Sequence, residues 1–490
     1  MYRYITTTLP YVNAKPHMGF ALEIVRADIL ARYWRMEGHE VFFNTGTDEH
    51  GLKIFREAEK AGKTAQEYVD EYAETFKALK PALNLSYTNF IRTTDAHHLM
   101  AAQEFWKRCA ENGDIYKKLY KGKYCIGCEL EKTDSELVDG RCPDHPKEEI
   151  AFREEENYFF RFSAYQDKLL DLYDTNPDFV LPHVRLNEIR SFVTRGLKDF
   201  SVSRLKEKMP WGVPVPDDDA QVMYVWFDAL VNYISAIGWP ASAKAPAGNA
   251  RQEGEFEKWW LNEKGGSNAV QIAGKDNLRQ QSAMWQAMLL SAKLPPSRQI
   301  FINGFITSGG QKMSKSLGNV LDPLYFAEGY GVDALRYFLA RHVSVEDSDI
   351  TEEKFHEAYN AHLANGLGNL VARVMTLAEK HLREPVGFEN SAMLEGIENA
   401  VRLNIKGYDF VGAMNTIWGY IQMQDLYVQE HAPFKTVKTD PEKAQKDIAL
   451  LVTTLADISK LLRPFMPDTA EKIKHAVTTN TAPPPLFARK

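Results

Sequence analysis

Cysteine is scarce in this sequence, with four among 490 residues. A chain of that length with so few thiols does not rest on a disulfide framework, and a reducing, cytoplasmic setting is expected. Long apolar runs are missing too. Nothing approaches the roughly 20 consecutive apolar residues of a membrane-spanning helix, so no membrane partner is expected. There is no low-complexity tract and no internal repeat, which argues against a repeat architecture. Neither sign of charge dominates: 59 Lys and Arg against 66 Asp and Glu leave a formal charge of −7. Non-specific coating of nucleic acid is therefore not expected, although a clustered basic surface can still steer a polyanion. The first residues, Met1 to Leu9, read as a β-strand and not as an apolar leader, so no signal or transit segment is expected before the fold.

What remains is an ordinary globular composition, 44% hydrophobic and 26% charged. The length exceeds what one hydrophobic core serves, and roughly two to four domains are expected. Three of the cysteines are grouped. Cys125-x-x-Cys128 is followed by Cys142-Pro143-Asp144-His145, two paired-ligand turns that offer three thiolates and an imidazole, the tetrahedral set zinc prefers. Cys125, Cys128, Cys142 and His145 would fill every position, so one structural Zn2+ per chain is expected, with no opening for a substrate. Cys109, on a helical stretch, reads as a packed thiol.

Residues 1–115 alternate strand and helix. Thr6–Leu9 and Glu40–Asn44 read as strands, Phe20–Met36 and Thr64–Leu79 as helices. This βαβ order predicts a Rossmann-like α/β fold, a doubly wound parallel sheet with ligands at the carboxyl ends of its strands. Residues 116–218 break the alternation and read as an inserted module: the zinc knuckle, the aromatic strand Asn157–Phe162 and the Pro-rich Trp211–Pro216. Within it, Asp217–Asp219 reads as a solvated loop. Alternation resumes over 219–322, where Gln221–Trp226, Asn268–Ala273 and Gln299–Phe305 read as strands completing the sheet. Ala229–Ile237 and Leu278–Leu290 read as the helices between them. A linking segment is expected over 323–352, then an α-helical bundle over 353–490, where Leu363, Leu367, Leu370, Val371 and Val374 recur at helical spacing.

The most informative segment is Lys312-Met313-Ser314-Lys315-Ser316, launched from Gly309-Gly310. Two adjacent glycines free the backbone, so the lysines are expected on a mobile loop, suited to phosphate charge that develops in a transition state. Pro16-His17-Met18-Gly19 lies between a strand-like and a helix-like run. It offers an imidazole and helix N-terminal N–H groups, the other half of a phosphate clamp. A fold must bring the two halves together. Taken singly, His17 reads as a helix-start residue and the lysines as solvated surface.

Together and in this order, these motifs resemble the class I aminoacyl-tRNA synthetases, and among them the methionyl-tRNA synthetases, over essentially the whole length. Pro16-His17-Met18-Gly19-Phe20 stands where that family has its HIGH signature, and Lys312 to Ser316 matches its KMSKS signature. Gly46-Thr47-Asp48-Glu49-His50-Gly51, Trp226-Phe227-Asp228-Ala229, and the knuckle followed by Glu156–Phe160 are typical of the methionine branch. The resemblance implies activation of L-methionine by ATP, with Mg2+, to methionyl-adenylate and pyrophosphate, then transfer to the 3′ end of methionine tRNA, initiator and elongator. Such chemistry needs no nucleophilic side chain, because the methionine carboxylate attacks; alignment and charge stabilisation carry the rate.

By the same resemblance His17, Lys312 and Lys315 are the catalytic residues, and His17, Gly19, Gly274, Asp276 and Lys315 surround ATP. Asp48 would take the α-amino group, while Leu9, Tyr11, Trp226, Ala229, Tyr233 and Gln281 would surround the thioether side chain. Asn369, Arg373 and Phe434 would meet the anticodon. Without the resemblance, Trp226, Ala229 and Tyr233 fit core packing, and Asn369 and Arg373 ordinary surface. Four positions depart from the family pattern: Phe20 for the last histidine of HIGH, Gln281 for a histidine near methionine, Leu230 for a proline and Phe434 for a stacking tryptophan.

Other class I synthetases fit less well. The branched-chain enzymes carry a large editing insertion, for which 116–218 is too short, and a cysteine enzyme needs zinc with an open position. A catalytically silent tRNA-binding paralogue would not need His17, Asp48, Lys312 and Lys315 intact. The chain stops at Lys490 without the C-terminal module some relatives carry, so a monomer is expected.

Overall fold

Tyr2–Thr7 (β1), buried at its last four positions, opens a series of strands that the chain returns to repeatedly. The next are Glu40–Thr47 (β2), Asn89–Arg92 (β3), Ile115–Cys125 (β4), Leu130–Lys132 (β5), Ile150–Phe160 (β6) and Val180–Leu181 (β7). Phe200–Ser201 (β8), Ser203–Leu205 (β9), Pro214–Val215 (β10), Asp218–Met223 (β11), Ala269–Gly274 (β12) and Gln299–Asn303 (β13) follow. The computed structural model describes residues 1–13, 15–125, 130–132, 136–143, 146–240, 254–313, 319–387 and 392–490, with backbone alone at 120, 121, 130, 131, 153, 312, 392 and 393. It divides into two units.

The first unit comprises Met1–Lys15, Val41–Ala78 and Tyr87–Ile302. Its main sheet has six strands in the order β3-β2-β1-β12-β13-β7. Tyr4–Thr7 runs parallel to Ala269–Ile272, Asn44–Thr47 to Asn89–Arg92, and Ile300–Phe301 to Val180–Leu181. β12 is buried at five successive positions, as a strand covered on both faces is. Gly46 is required at its place, because a Cβ there would lie 1.8 Å from the Ile91 carbonyl oxygen. Aromatic packing closes the core: Phe105 stacks on Trp285 with centroids 5.5 Å apart and meets Trp239 edge-on.

Three expectations change here. Gln221–Trp226 does not join the main sheet. Gln221–Met223 pairs antiparallel with Ser203–Leu205 in a separate sheet ordered β10-β11-β9, and Trp226 sits on the Val225–Leu230 helix. The apolar run is equally compatible with strand and helix, and the partner decides where the strand ends. Next, the 116–218 segment contributes β7 to the edge of the main sheet. Last, Asp217–Asp219 is loop only at its start: Asp217, exposed and with φ 60°, lies in the turn after β10, while Asp218 and Asp219 open β11 and Asp218 accepts from Lys117 Nζ at 2.9 Å and Tyr158 OH at 3.0 Å.

The second unit comprises Pro16–Glu40, Leu79–Ser86 and Asn303–Lys490. Its Met18–Met36 helix is buried along most of its length, including the charged Glu23, Arg26 and Asp28. These charges are placed by partners, as burial demands. Asp28 accepts from Arg32 Nε at 2.7 Å and Arg336 at 2.8 Å. Arg26 donates to Asn303 Oδ1 at 2.6 Å and to the carbonyl of Val343. A small sheet follows, in which Ile306–Ser308 (β14) lies between Gln311–Lys312 (β15) and Ser348–Asp349 (β16). Beyond Asp349 the described residues hold helices and no strand. Leu363, Leu367, Leu370, Val371 and Val374 are buried as their spacing predicts. Asp409 and Asp440 cap the two longest helices of the bundle, Phe410–His431 and Pro441–Leu462, by accepting from Gly412 N and Lys443 N. Among the described residues, no helix is long and apolar enough to cross a membrane.

Candidate active site

In the first unit the carboxyl ends of β1 and β2 are locked side by side. Asp48 N donates to Pro10 O at 3.0 Å and Val12 N to Asp48 O at 3.2 Å, and Tyr11 and Asp48 form a parallel bridge. Asp48 is thereby held next to Tyr11, with 6% of its surface exposed. Leu9 and Tyr11 are partly buried on the loop leaving β1. Glu49, beside Asp48, is buried and accepts from Thr47 Oγ1 at 2.6 Å and Arg92 Nε at 2.7 Å. Its backbone carbonyl accepts from Trp211 Nε1 at 2.6 Å.

Trp226 and Ala229 lie on the Val225–Leu230 helix, and Tyr233 on the short helix after it. Trp226 is partly exposed; Ala229 and Tyr233 are buried. Gln281, on a single π-helical turn at Gln280–Met284, donates from Nε2 to Tyr233 OH at 2.7 Å and accepts from Gln271 Nε2 at 3.1 Å. The amide thus fixes the Tyr233 hydroxyl from a buried network. Gly274 ends β12 and precedes a 3₁₀ turn over Lys275–Asn277, on which Asp276 is exposed.

Between Trp226 and Ala229 is Asp228, a residue the sequence reading left without a role. Its Oδ2 pairs with His50 Nδ1 at 2.6 Å and its Oδ1 with His98 Nε2 at 2.8 Å. Burial alone would raise its carboxyl, but the two imidazoles hold it down at about 2. Its place inside the tryptophan motif was the available signal; that two histidines from distant segments reach it is not visible locally.

The residues expected to form the phosphate clamp lie in the second unit. His17 caps the Met18–Met36 helix, and its Nδ1 accepts from Gly19 N at 3.1 Å. A neutral ring with Nδ1 accepting carries its proton on Nε2, a donor suited to a phosphate oxygen. Gly19 has a local reason to be glycine, since a Cβ there would stand 3.0 Å from the His17 ring. Phe20 is buried in the helix, so the residue replacing the last signature histidine serves the apolar interior.

Gly309 and Gly310 have φ 61° and 73°, both in the region that favours glycine. They form the two-residue turn of the hairpin pairing Thr307–Ser308 with Gln311–Lys312, the tight turn such angles build. The glycines therefore shape a defined turn ahead of the lysine segment. Asp349 clamps it, accepting from Gly310 N at 2.7 Å, Thr307 Oγ1 at 3.0 Å and Lys354 Nζ at 3.0 Å. Those donors hold its carboxyl below the usual range. The backbone of Lys312 belongs to this hairpin; its side chain, and all of Lys315, lie outside the described residues.

Of the expected zinc ligands, Cys125 and Cys142 are fully buried, while Cys128 and His145 lie outside the described residues. Among the described residues no cluster of metal ligands is present. Cys109 is a packed thiol, pushed up to about 12 by burial. Of the expected anticodon residues, Asn369 is exposed at the start of the Asn369–His381 helix, and Arg373, one turn on, donates to Asp425 Oδ1 at 2.8 Å. Phe434, on the short Pro433–Thr436 helix, is 44% exposed.

Comparison with known proteins places this arrangement. The family "tRNA synthetases class I (M)" matches residues 3–152 and 145–375, and "Anticodon binding domain of methionyl tRNA ligase" matches residues 408–486. The methionine–tRNA ligase of Thermotoga maritima is 39% identical over 98% of this chain and 76% of its own length. That of Thermosynechococcus vestitus is 40% identical over 96% of this chain and 88% of its own. A Mycobacterium tuberculosis methionyl-tRNA synthetase bound by methionyl-adenylate superposes with a TM-score of 0.89 at 36% identity, covering 100% of this chain and 99% of that one. On these matches, the chain belongs to the methionyl-tRNA synthetase family of class I aminoacyl-tRNA synthetases.

Proposed function

We propose a division of labour among named side chains for the activity of this family, ATP-dependent ligation of methionine to its tRNA. Asp48 takes the methionine ammonium as a charge-assisted contact. Leu9, Tyr11, Trp226, Ala229 and Tyr233 enclose the thioether, with Gln281 orienting the tyrosine hydroxyl. Gly274 and Asp276 face the ribose. The methionine carboxylate attacks the α-phosphorus of ATP, forming the adenylate bond as pyrophosphate leaves. His17, donating from Nε2, and the cations Lys312 and Lys315 stabilise charge that grows on the phosphates, and Mg2+ accompanies ATP. The adenosine hydroxyl at the 3′ end of tRNA then displaces AMP. Asn369, Arg373 and Phe434 read the anticodon, with the phenylalanine giving a smaller stacking face than tryptophan.

The observation that carries the amino-acid assignment is the locked Tyr11–Asp48 backbone pair, which holds a buried carboxylate next to an aromatic residue at the carboxyl ends of β1 and β2. A structural Zn2+ on Cys125, Cys128, Cys142 and His145 would hold the module that follows β4. The division 1–115 with 219–322 as catalytic domain, 116–218 as an insertion that lends β7 to its sheet, 323–352 as link and 353–490 as anticodon-binding domain belongs to the same reading, as do a cytoplasmic location and a monomer. Methionine-dependent ATP–pyrophosphate exchange tests the assignment: exchange is expected with methionine and to be lost in Asp48→Ala, and faster exchange with another amino acid would overturn it.

A further inference from the structure

A carboxylate that accepts from two buried imidazoles is a strong three-way joint, because each oxygen takes one charge-assisted or polar N–H and no water competes. Asp228 is such a joint. His50 reaches it at 2.6 Å and His98 at 2.8 Å, and the far nitrogen of His98 meets Ser235 Oγ at 2.8 Å. All four side chains are buried. The elements they tie are specific. His50 stands two residues beyond Asp48 at the end of β2, and Asp228 stands between Trp226 and Ala229 on the helix forming the aromatic wall. Ser235 follows Tyr233 on the next helix, and His98 comes from the Ala96–Glu111 helix. Asn232 reinforces the joint by donating to Ala229 O at 2.6 Å.

The ammonium-binding end and the side-chain wall are thus fixed against each other through one carboxylate on the wall's own helix. We infer that Asp228, with His50 and His98, is the positioning group that sets the distance from Asp48 to the wall of Trp226, Ala229 and Tyr233, and with it the side-chain length the site accepts. This inference rests on the reading of those residues as the methionine site. Discrimination by one methylene in an apolar pocket is commonly about 10- to 200-fold, and it requires walls that do not yield.

The test is amino-acid-dependent ATP–pyrophosphate exchange with methionine, ethionine and S-methylcysteine, in Asp228→Asn, His98→Gln and Asp48→Asn. An amide at 228 presents an N–H to one imidazole, forcing that ring to turn or change tautomer. Asp228→Asn is expected to raise the methionine KM by about 10-fold and to shift the kcat/KM preference for methionine over the longer and shorter analogues by about 5- to 10-fold. Its kcat and its KM for ATP stay within about threefold of the parent. His98→Gln changes the same quantities in the same direction by less, and it decides the matter should Asp228→Asn fail to fold. A lowered melting temperature with unchanged KM and unchanged preference would overturn the inference, leaving only packing. If Asp48→Asn keeps the parent KM, the methionine-site reading itself fails. If Asp48→Asn loses methionine while both other variants keep length preference, the positioning inference alone fails.

Discussion

Met18 donates its backbone N–H to the carbonyl of Leu321 over 3.1 Å. The residue after His17 is therefore joined to the chain shortly beyond the lysine signature, and Leu321 N in turn meets Met313 Sδ at 3.5 Å. The N-terminus of the Met18–Met36 helix and the flanks of the lysine segment share one framework. On the proposed role, Lys312 and Lys315 act on phosphate charge that peaks in the transition state, so Lys315→Ala is expected to slow ATP–pyrophosphate exchange by about 10²- to 10³-fold with less than about a threefold change in the methionine KM. Steady-state kinetics checks this, and equal losses in both parameters would refute the role.

Asp349 is the side chain that clamps the hairpin turn before Lys312. Asp349→Ala removes the acceptor for Gly310 N and Thr307, leaving the turn to its own geometry. Exchange is expected to fall by about 10-fold in kcat, of the order seen when a positioning contact is loosened, with the melting temperature nearly unchanged. A parent-like kcat would show that the lysines do not depend on this clamp.

Asp457 predicts a pH effect on stability with a sign opposite to that of most carboxylates. Burial in the bundle and nearby Glu398 raise its carboxyl to about 6, against the Tyr420 hydroxyl and Lys460. Its folded-state pKa lies above the unfolded one, so the folded form binds the extra proton between about pH 4 and 6. The group's contribution is complete below that window and is lost as pH rises through 6. Asp457→Asn is expected to stabilise the protein by about 1–2 kcal/mol at pH 7.5 and to have little effect at pH 4.5. Urea unfolding at the two pH values measures it, and a variant less stable at pH 7.5 contradicts it.

Zinc gives a compositional test. Purified protein is expected to carry about one equivalent, and Cys142→Ala less than about a fifth of that, because losing one thiolate opens a closed tetrahedral site. Chelation should lower the melting temperature of the parent and leave that of the variant unchanged. Less than about half an equivalent in the parent counts against the site.

Much of this was legible in the sequence because the signals are local. β1, β2 and β12 announce themselves by aromatic and β-branched residues in stretches of strand length, and the bundle by apolar residues three and four apart. His17 lies where a strand-like run meets a helical one, and it is indeed the helix cap. The misreadings come from the same source. Gln221–Trp226 is apolar enough for a strand of the main sheet, but its partner is Ser203–Leu205. The paired glycines mark a special backbone conformation, but that it is one hairpin turn depends on the pairing of Thr307–Ser308 with Gln311–Lys312.

By itself the sequence determined the family, the alternation of strands and helices around β1, β2 and β12, and the helical bundle, since each is carried by contiguous motifs that need no distant partner. Only the tertiary structure decided the Asp228 joint, the Asp349 clamp, the Met18–Leu321 link and the burial of Phe20. Each is a contact between segments tens to hundreds of residues apart, or a choice of which helix face is covered. Buried charges such as Asp28 and Asp228 persist only where such partners converge, because an unpaired one would be costly. No local pattern records that convergence.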